Sequence, residues 1–110
     1  MPQARSGIEC LLKVMARLRD PEGGCPWDLA QDWQSIAPHT IEEAYEVADA
    51  VQRGEPTAVR DELGDLLFQV VFQARIAEEK HQFDFDGVAG AIADKLERRH
   101  PHVFGKVQIA

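Results

Sequence analysis

Glu62-Leu63-Gly64-Asp65-Leu66-Leu67-Phe68-Gln69-Val70-Val71-Phe72 is the stretch that decides the fold of this chain. It belongs to a pattern that reads as one helix from about Thr57 to about Lys80. In a helix Glu62 and Asp65 project from one face, about a turn apart. Leu63, Leu66, Leu67, Phe68, Val70, Val71 and Phe72 then make the same helix apolar nearly all round. Such a helix is buried on several sides. A 110-residue chain with few other helices can hardly surround it. Burial against a second copy is therefore expected, and the chain is read as a homo-oligomer.

The flanking sequence is helical too. Ser6-Gly7-Ile8-Glu9 is a capping-box pattern, and Ile8, Leu11, Leu12, Met15 and Leu18 follow helical spacing up to Asp20-Pro21. Pro21 to Pro38 is rich in breakers and reads as a loop, with Asp28 capping a short helical turn through Trp33. Thr40-Ile41-Glu42-Glu43 reads as a second capping box, opening a helix that ends near Arg53 before Gly54. A last helix runs from near Asp86 to about Arg99, where Pro101 stops it. No run alternates with period two, so the expected class is all-α, one domain over residues 1–110.

The helix after Thr40 has two unlike faces. Ile41, Ala44, Tyr45, Ala48 and Val51 form an apolar stripe, and Glu42, Glu43, Glu46 and Asp49 lie opposite. Glu43 and Glu46 repeat the i,i+3 spacing of Glu62 and Asp65. Two facing helices would bring these four carboxylates around one small volume. Like charges at this spacing cost about 0.2–0.5 kcal/mol per pair, and no Lys or Arg shares the face before Arg53. A solvated acidic face and a cation site both remain open on this pattern. A filled site would take a hard divalent ion, Mg²⁺ first and Mn²⁺ next. Gly64, costing about 1 kcal/mol in a helix interior, fits a place where a ligand or another backbone comes close. Ferritin-like iron chemistry needs two Glu-x-x-His motifs and the chain has only Glu78-x-x-His81. His39, His81, His100 and His102 are not grouped as zinc ligands.

Composition narrows the function classes. Net charge is −7, which gives no general attraction to nucleic-acid backbones or anionic membranes. No apolar run approaches the roughly 20 residues of a membrane span. Cys10 and Cys25 form no CxxC, and a reduced cytosolic pair is expected, placing the chain in the cytoplasm. The one cationic cluster, Lys95, Arg98 and Arg99, suits either a helix C-terminus or the phosphates of a metal-bound substrate.

Taken in order, four segments resemble the MazG family of nucleoside triphosphate pyrophosphohydrolases. They are Gly24-Cys25-Pro26-Trp27-Asp28, Thr40-Ile41-Glu42-Glu43, the Glu62 to Phe72 stretch, and Lys95-Leu96-Glu97-Arg98-Arg99-His100-Pro101-His102-Val103-Phe104. The likeness runs from about Ile8 to Gly105. It implies an all-α NTP-pyrophosphatase fold whose helical bundle is completed by homo-oligomerisation, as a dimer or tetramer. It also implies Mg²⁺-dependent cleavage of an NTP or dNTP to the nucleoside monophosphate and pyrophosphate. By position, the resemblance makes Glu43, Glu46, Glu62 and Asp65 metal ligands and Glu42 their helper. Lys95 and Arg99, with Arg98, fall at phosphate-binding positions, and Trp27 and Trp33 are candidates for stacking on the base. The chain is most like the N-terminal repeat of two-domain members, either as a single-domain protein or as one half. Phe72 stands where many strongly active repeats carry Asn. A weakly active or non-catalytic metal-binding regulatory domain is the competing expectation.

Overall fold

Residues 6–105 are described by the computed structural model, so the first and last five residues of the expected 1–110 domain lie outside the described residues. Six helices follow one another: α1 (Gly7–Leu18), α2 (Pro26–Leu29), α3 (Trp33–Arg53), α4 (Pro56–Glu79), α5 (Phe85–Arg99) and α6 (Pro101–Phe104). No strand occurs among the described residues, and the chain is all-α. None of the described helices is long and apolar enough to cross a membrane. Cys10 and Cys25 are free thiols.

Helix α1 starts as its sequence predicts. Ser6 Oγ accepts from the Glu9 amide at 3.1 Å, and Glu9 Oε1 accepts from the Ser6 amide at 3.0 Å. The segment after it differs from expectation. Asp28 does not cap a turn through Trp33; it lies inside α2, which follows Cys25 and begins at Pro26. Helix α3 begins seven residues before Thr40, at Trp33, and carries Pro38 in its interior. Its first turn is held by a reciprocal cap, in which Asp32 accepts from the Ser35 amide at 2.9 Å and Ser35 Oγ accepts from the Asp32 amide at 2.9 Å. Ile36, fully buried, secures that turn to the core. Burial and capping outweigh the amide that Pro38 cannot supply. Thr40 is consequently mid-helix, and its hydroxyl takes part in contacts to α4 instead of capping.

Helices α3 and α4 form an antiparallel hairpin across Gly54, whose φ of 68° closes α3 in the left-handed region that glycine adopts freely. Helix α4 ends in a Schellman turn: the Gln82 amide donates to the Ala77 carbonyl and the His81 amide to the Glu78 carbonyl, with His81 at φ 57°. His81 is therefore a turn residue. The core gathers Met15 of α1, Ile36 of α3, and Val71, Phe72 and Ile76 of α4, with Ile8, Leu11, Trp33, Phe68 and Phe85 packed around it. Phe72 sits within this core under the Arg19 guanidinium, 5.5 Å from its ring centre. Residue 72 thus bears on core packing at the α1 end of the hairpin.

The other end of the hairpin is open. The apolar stripe of α3 points outward, with Ile41 59%, Tyr45 72% and Val51 58% exposed, while Leu63 and Leu67 of α4 are 48% and 38% exposed. The face that α3 turns inward carries Ile36 and Ala50, both fully buried, with half-buried Glu43 on the same side two turns from each. Helix α5 has no buried residue. The radius of gyration is 16.6 Å, against about 13 Å for a compact chain of this length. Accessible surface is 8060 Å², against about 6,100 Å² for a folded monomer of this mass. A Cβ built on Gly64 meets nothing within 4 Å, so no close approach within this chain requires glycine there.

Candidate metal centre

Antiparallel pairing in the hairpin sets the middle of α3 beside the first half of α4. Glu43, Glu62 and Asp65 thereby each offer a carboxylate oxygen within 4.8 Å of the others. Glu43 and Glu62 are half-buried and Asp65 is exposed. One oxygen of Glu43, Oε2, is sealed from solvent and has no hydrogen-bond partner. Neither Lys nor Arg makes an ion pair with these residues or with Glu46 among the described residues. An orphaned buried carboxylate oxygen carries a free-energy cost that a cation would remove.

Electrostatics describe the same concentration of charge. The Glu43 carboxyl is held above its ordinary pKa of 4.5, first by desolvation and then by repulsion from Asp65, Glu62, Glu46 and Glu42. Glu62 is raised as well, by desolvation and then by Glu46 and Asp65, with Arg53 opposing. Glu46 stands outside the group of three convergent oxygens, yet its charge acts on both Glu43 and Glu62. Three oxygens on two facing helices, with a fourth carboxylate at their edge, match the oxygen-rich set that Mg²⁺ or Mn²⁺ prefers. The residues fit a hard divalent ion.

Next to this group on α3 lies Glu42, exposed, with Oε1 3.5 Å from His39 Nδ1. His39, Glu42, Glu43 and Glu46 share one helical face at i, i+3, i+4 and i+7. A helix read as starting at Thr40 hides this relation, because it leaves His39 in a loop. One turn towards the α3 N-terminus the hairpin interior stays polar. Gln69 is buried, Thr40 Oγ1 lies 3.4 Å from Gln69 Oε1, and Gln73 Nε2 donates to Thr40 Oγ1 at 2.9 Å. These glutamines carry no signal in the sequence; only the pairing of α3 with α4 brings them to Thr40.

The remaining candidates are dispersed. Lys95 is exposed at the rim of an apolar hollow formed by Phe83, Gly87, Val88, Ala91 and Ile92. Arg98 and Arg99 are exposed in the last turn of α5, and none of the three makes an ion pair among the described residues. Trp27 is 52% exposed on α2. Trp33 is packed against the core, with Nε1 donating to the Gln73 carbonyl at 3.0 Å and its ring stacked on Phe83 at 6.1 Å. Those contacts give Trp33 an anchoring part.

Comparison with known proteins places this arrangement among relatives. Residues 31–104 match the MazG nucleotide pyrophosphohydrolase domain. The chain is 61% identical over 97 residues to a nucleoside triphosphate pyrophosphohydrolase of Escherichia coli, covering 88% of this chain and 37% of that protein. It is 45% identical over 105 residues to the nucleoside triphosphate pyrophosphohydrolase/pyrophosphatase MazG of Thermotoga maritima, covering 96% of this chain and 41% of that protein. The chain thus spans well under half the length of these curated relatives. The crystal structure of a mazG-related protein from Thermotoga maritima superposes with a TM-score of 0.73 at 26% identity, over 93% of this chain and 87% of that one.

Proposed function

Because this chain belongs to the MazG nucleotide pyrophosphohydrolase family, we propose that it hydrolyses nucleoside triphosphates, ribo- or deoxyribo-, to the monophosphate and pyrophosphate. The observation that carries the reading is the convergence of Glu43, Glu62 and Asp65 within 4.8 Å, with a buried Glu43 oxygen left unpartnered. In this reading Glu43, Glu62 and Asp65, with Glu46 beside them, hold Mg²⁺, for which Mn²⁺ substitutes. When bound, such an ion would supply charge to the phosphoryl oxygens and lower the pKa of the attacking water. Glu42, at the edge of the cluster, orients that water towards the α-phosphorus. A P–O bond forms there, the bond to the α–β bridging oxygen breaks, and the water's proton is released to solvent. Lys95 and Arg99, with Arg98, neutralise the pyrophosphate tail. A non-catalytic regulatory domain would keep the cation site and lack turnover, so the assay of products separates the two readings.

Purified protein incubated with Mg²⁺ and each common NTP or dNTP is expected to release pyrophosphate and monophosphate in equal amounts. Diphosphate with inorganic phosphate would place the cut elsewhere, and no product from any of them would favour the regulatory reading. By calorimetry, Glu46→Gln combined with Asp65→Asn is expected to weaken Mg²⁺ binding at least about ten-fold. Unchanged affinity would remove these residues from the site. Lys95→Ala and Arg99→Ala are each expected to lower kcat/KM by roughly ten- to hundred-fold, the worth of one charge-assisted contact. Ala is the better helix former, so α5 should persist in both variants. An unchanged rate would return the cluster to a helix-end part.

Assembly belongs to the same proposal. The outward Ile41, Tyr45 and Val51 of α3 and the exposed Leu63 and Leu67 of α4 are apolar surface that a second copy would cover. Light scattering at micromolar concentration is expected to give at least twice the chain mass of 12.3 kDa. A mass near 12.3 kDa would overturn self-association.

A further inference from the structure

Between α1, the second half of α4 and the start of α5 lies a cavity of about 260 Å³ that the proposed chemistry does not use. Arg75, on its wall, comes ten residues after Asp65, about 15 Å further along α4. The floor is apolar: Met15 and Val71 rise from the core, and Leu12 and Phe85 complete it. The rest of the lining is charged, with Arg75 set among Glu78, Asp84 and Asp86. The Arg75 side chain is 31% exposed, and its carboxylate neighbours are distant, Glu78 at 3.6 Å and Glu79 at 3.8 Å. Its Nε is sealed from solvent without a hydrogen-bond partner. Glu79 is already committed to Arg19, which pairs with it through two nitrogens at 3.0 and 2.6 Å. The same Arg19 clasps the loop that carries α2, donating to the carbonyls of Asp28 and Gln31. Arg75 is thus a largely buried guanidinium short of acceptors, facing a cavity.

We infer that this cavity binds a small zwitterion, a free α-amino acid with an aliphatic side chain. Its carboxylate meets the Arg75 guanidinium, its ammonium meets the rim of Glu78, Asp84 and Asp86, and its side chain lies on the apolar floor. Charge decides the class. A phosphate or polyphosphate would face three carboxylates with one guanidinium to hold it, and a bare amine would leave Arg75 short of acceptors. Only a ligand carrying both signs a few ångströms apart answers the whole rim. Size agrees, since the cavity falls below the roughly 300–1,000 Å³ of sites that take drug-sized ligands. Helix α5 has no buried residue, so a ligand bridging Arg75 to Asp86 would tie its first turn to α4. The inference is independent of the proposed activity.

Calorimetry on the full chain tests this, with L-leucine as the probe and neither Mg²⁺ nor nucleotide present. Leucine is expected to bind with a Kd of about 1 mM or tighter. Three relatives of the probe each lack one feature: 4-methylpentanoate the ammonium, 3-methylbutylamine the carboxylate, and glycine the side chain. Each is expected to bind at least about ten-fold more weakly. Arg75→Met, which keeps an apolar stem, is expected to abolish leucine binding. Glu78→Gln combined with Asp86→Asn, both exposed positions whose change leaves the core untouched, is expected to weaken leucine about ten-fold and to tighten 4-methylpentanoate. That reversal keeps the test decisive even where Arg75→Met does not fold. Amide exchange is expected to slow around Arg75 and in the first turn of α5 when leucine is bound. No binding of leucine, valine, isoleucine or methionine at ten times the expected Kd would overturn the site. So would equal affinity for leucine and either single-charge relative, or protection confined to other segments.

Discussion

Replacing Glu43 by Gln is expected to stabilise the metal-free protein and at the same time to abolish its Mg²⁺-dependent turnover. In the folded chain the ionised form of Glu43 is disfavoured by desolvation and by four neighbouring carboxylates, so its pKa lies above 4.5. The sign follows from linkage. A carboxyl whose folded pKa is raised contributes stability while protonated, and that contribution is lost as pH rises through the folded value. At neutral pH the wild type therefore carries the full penalty, and Gln, neutral throughout, carries none. Relief of one buried, unpartnered oxygen is worth on the order of 1 kcal/mol, or about 4–8 °C in Tm for a domain of this size. The gap should be widest at neutral pH and close as pH falls through the raised pKa towards 4.5. Saturating Mg²⁺ should reverse the order, because binding stabilises only the chain that keeps the ligand. Turnover should fall by about a hundred-fold or more, since even groups that merely support a ligand cost about ten- to hundred-fold. Thermal melts across pH, with and without Mg²⁺, read both halves. A Glu43→Gln chain no more stable than wild type without metal would mean that the carboxylates are not under mutual strain.

Phe72→Ala is the substitution expected to damage the fold most. Phe72 is fully buried and is the largest side chain in the core, edge-on to Phe68 at 5.7 Å and covered by the Arg19 guanidinium. Truncating a buried Phe costs about 3–5 kcal/mol, through lost transfer energy and the cavity left behind. Total stabilities are about 5–15 kcal/mol, so this is a large share. Urea unfolding is expected to show a midpoint lowered accordingly with an unchanged slope. Leu63→Ala, at a site 48% exposed in the single chain, is the informative companion. Its cost should be small in a dilute monomer and should grow with protein concentration where a second copy covers α4. A Phe72→Ala midpoint equal to wild type would contradict the packing of the core. For the same reason the departure from Asn at residue 72 is expected to act on stability. An Asn there would bury an amide among Met15, Ile36, Val71 and Ile76.

Periodicity and local chemistry suffice for much of this molecule. The Ser6–Glu9 box, the long apolar α4, the stop at Pro101 and the i,i+3 carboxylate pairs are decided by neighbours within one turn, which is why they can be read from the order of residues alone. Glu43, Glu62 and Asp65 were nameable as one cluster because both pairs are written in the chain. What lay beyond local reading was any feature settled by contacts distant in sequence. Pro38 looked like a helix boundary, yet burial of Ile36 and the Asp32–Ser35 cap carry α3 through it. That extension alone puts His39 on the rail of Glu42 and Glu43, and the tertiary contact with α2 alone brings Trp27 against it. The two tryptophans could not be told apart by composition. Trp33 is taken by the core because α4 offers the Gln73 carbonyl and the loop after it offers Phe83, whereas Trp27 is left in solvent by the Arg19 clasp on its own loop. The direction of the α3 apolar stripe was likewise undecidable from the stripe itself. An amphipathic helix has two faces, and the partner on the other side of the hairpin determines which one is turned inward.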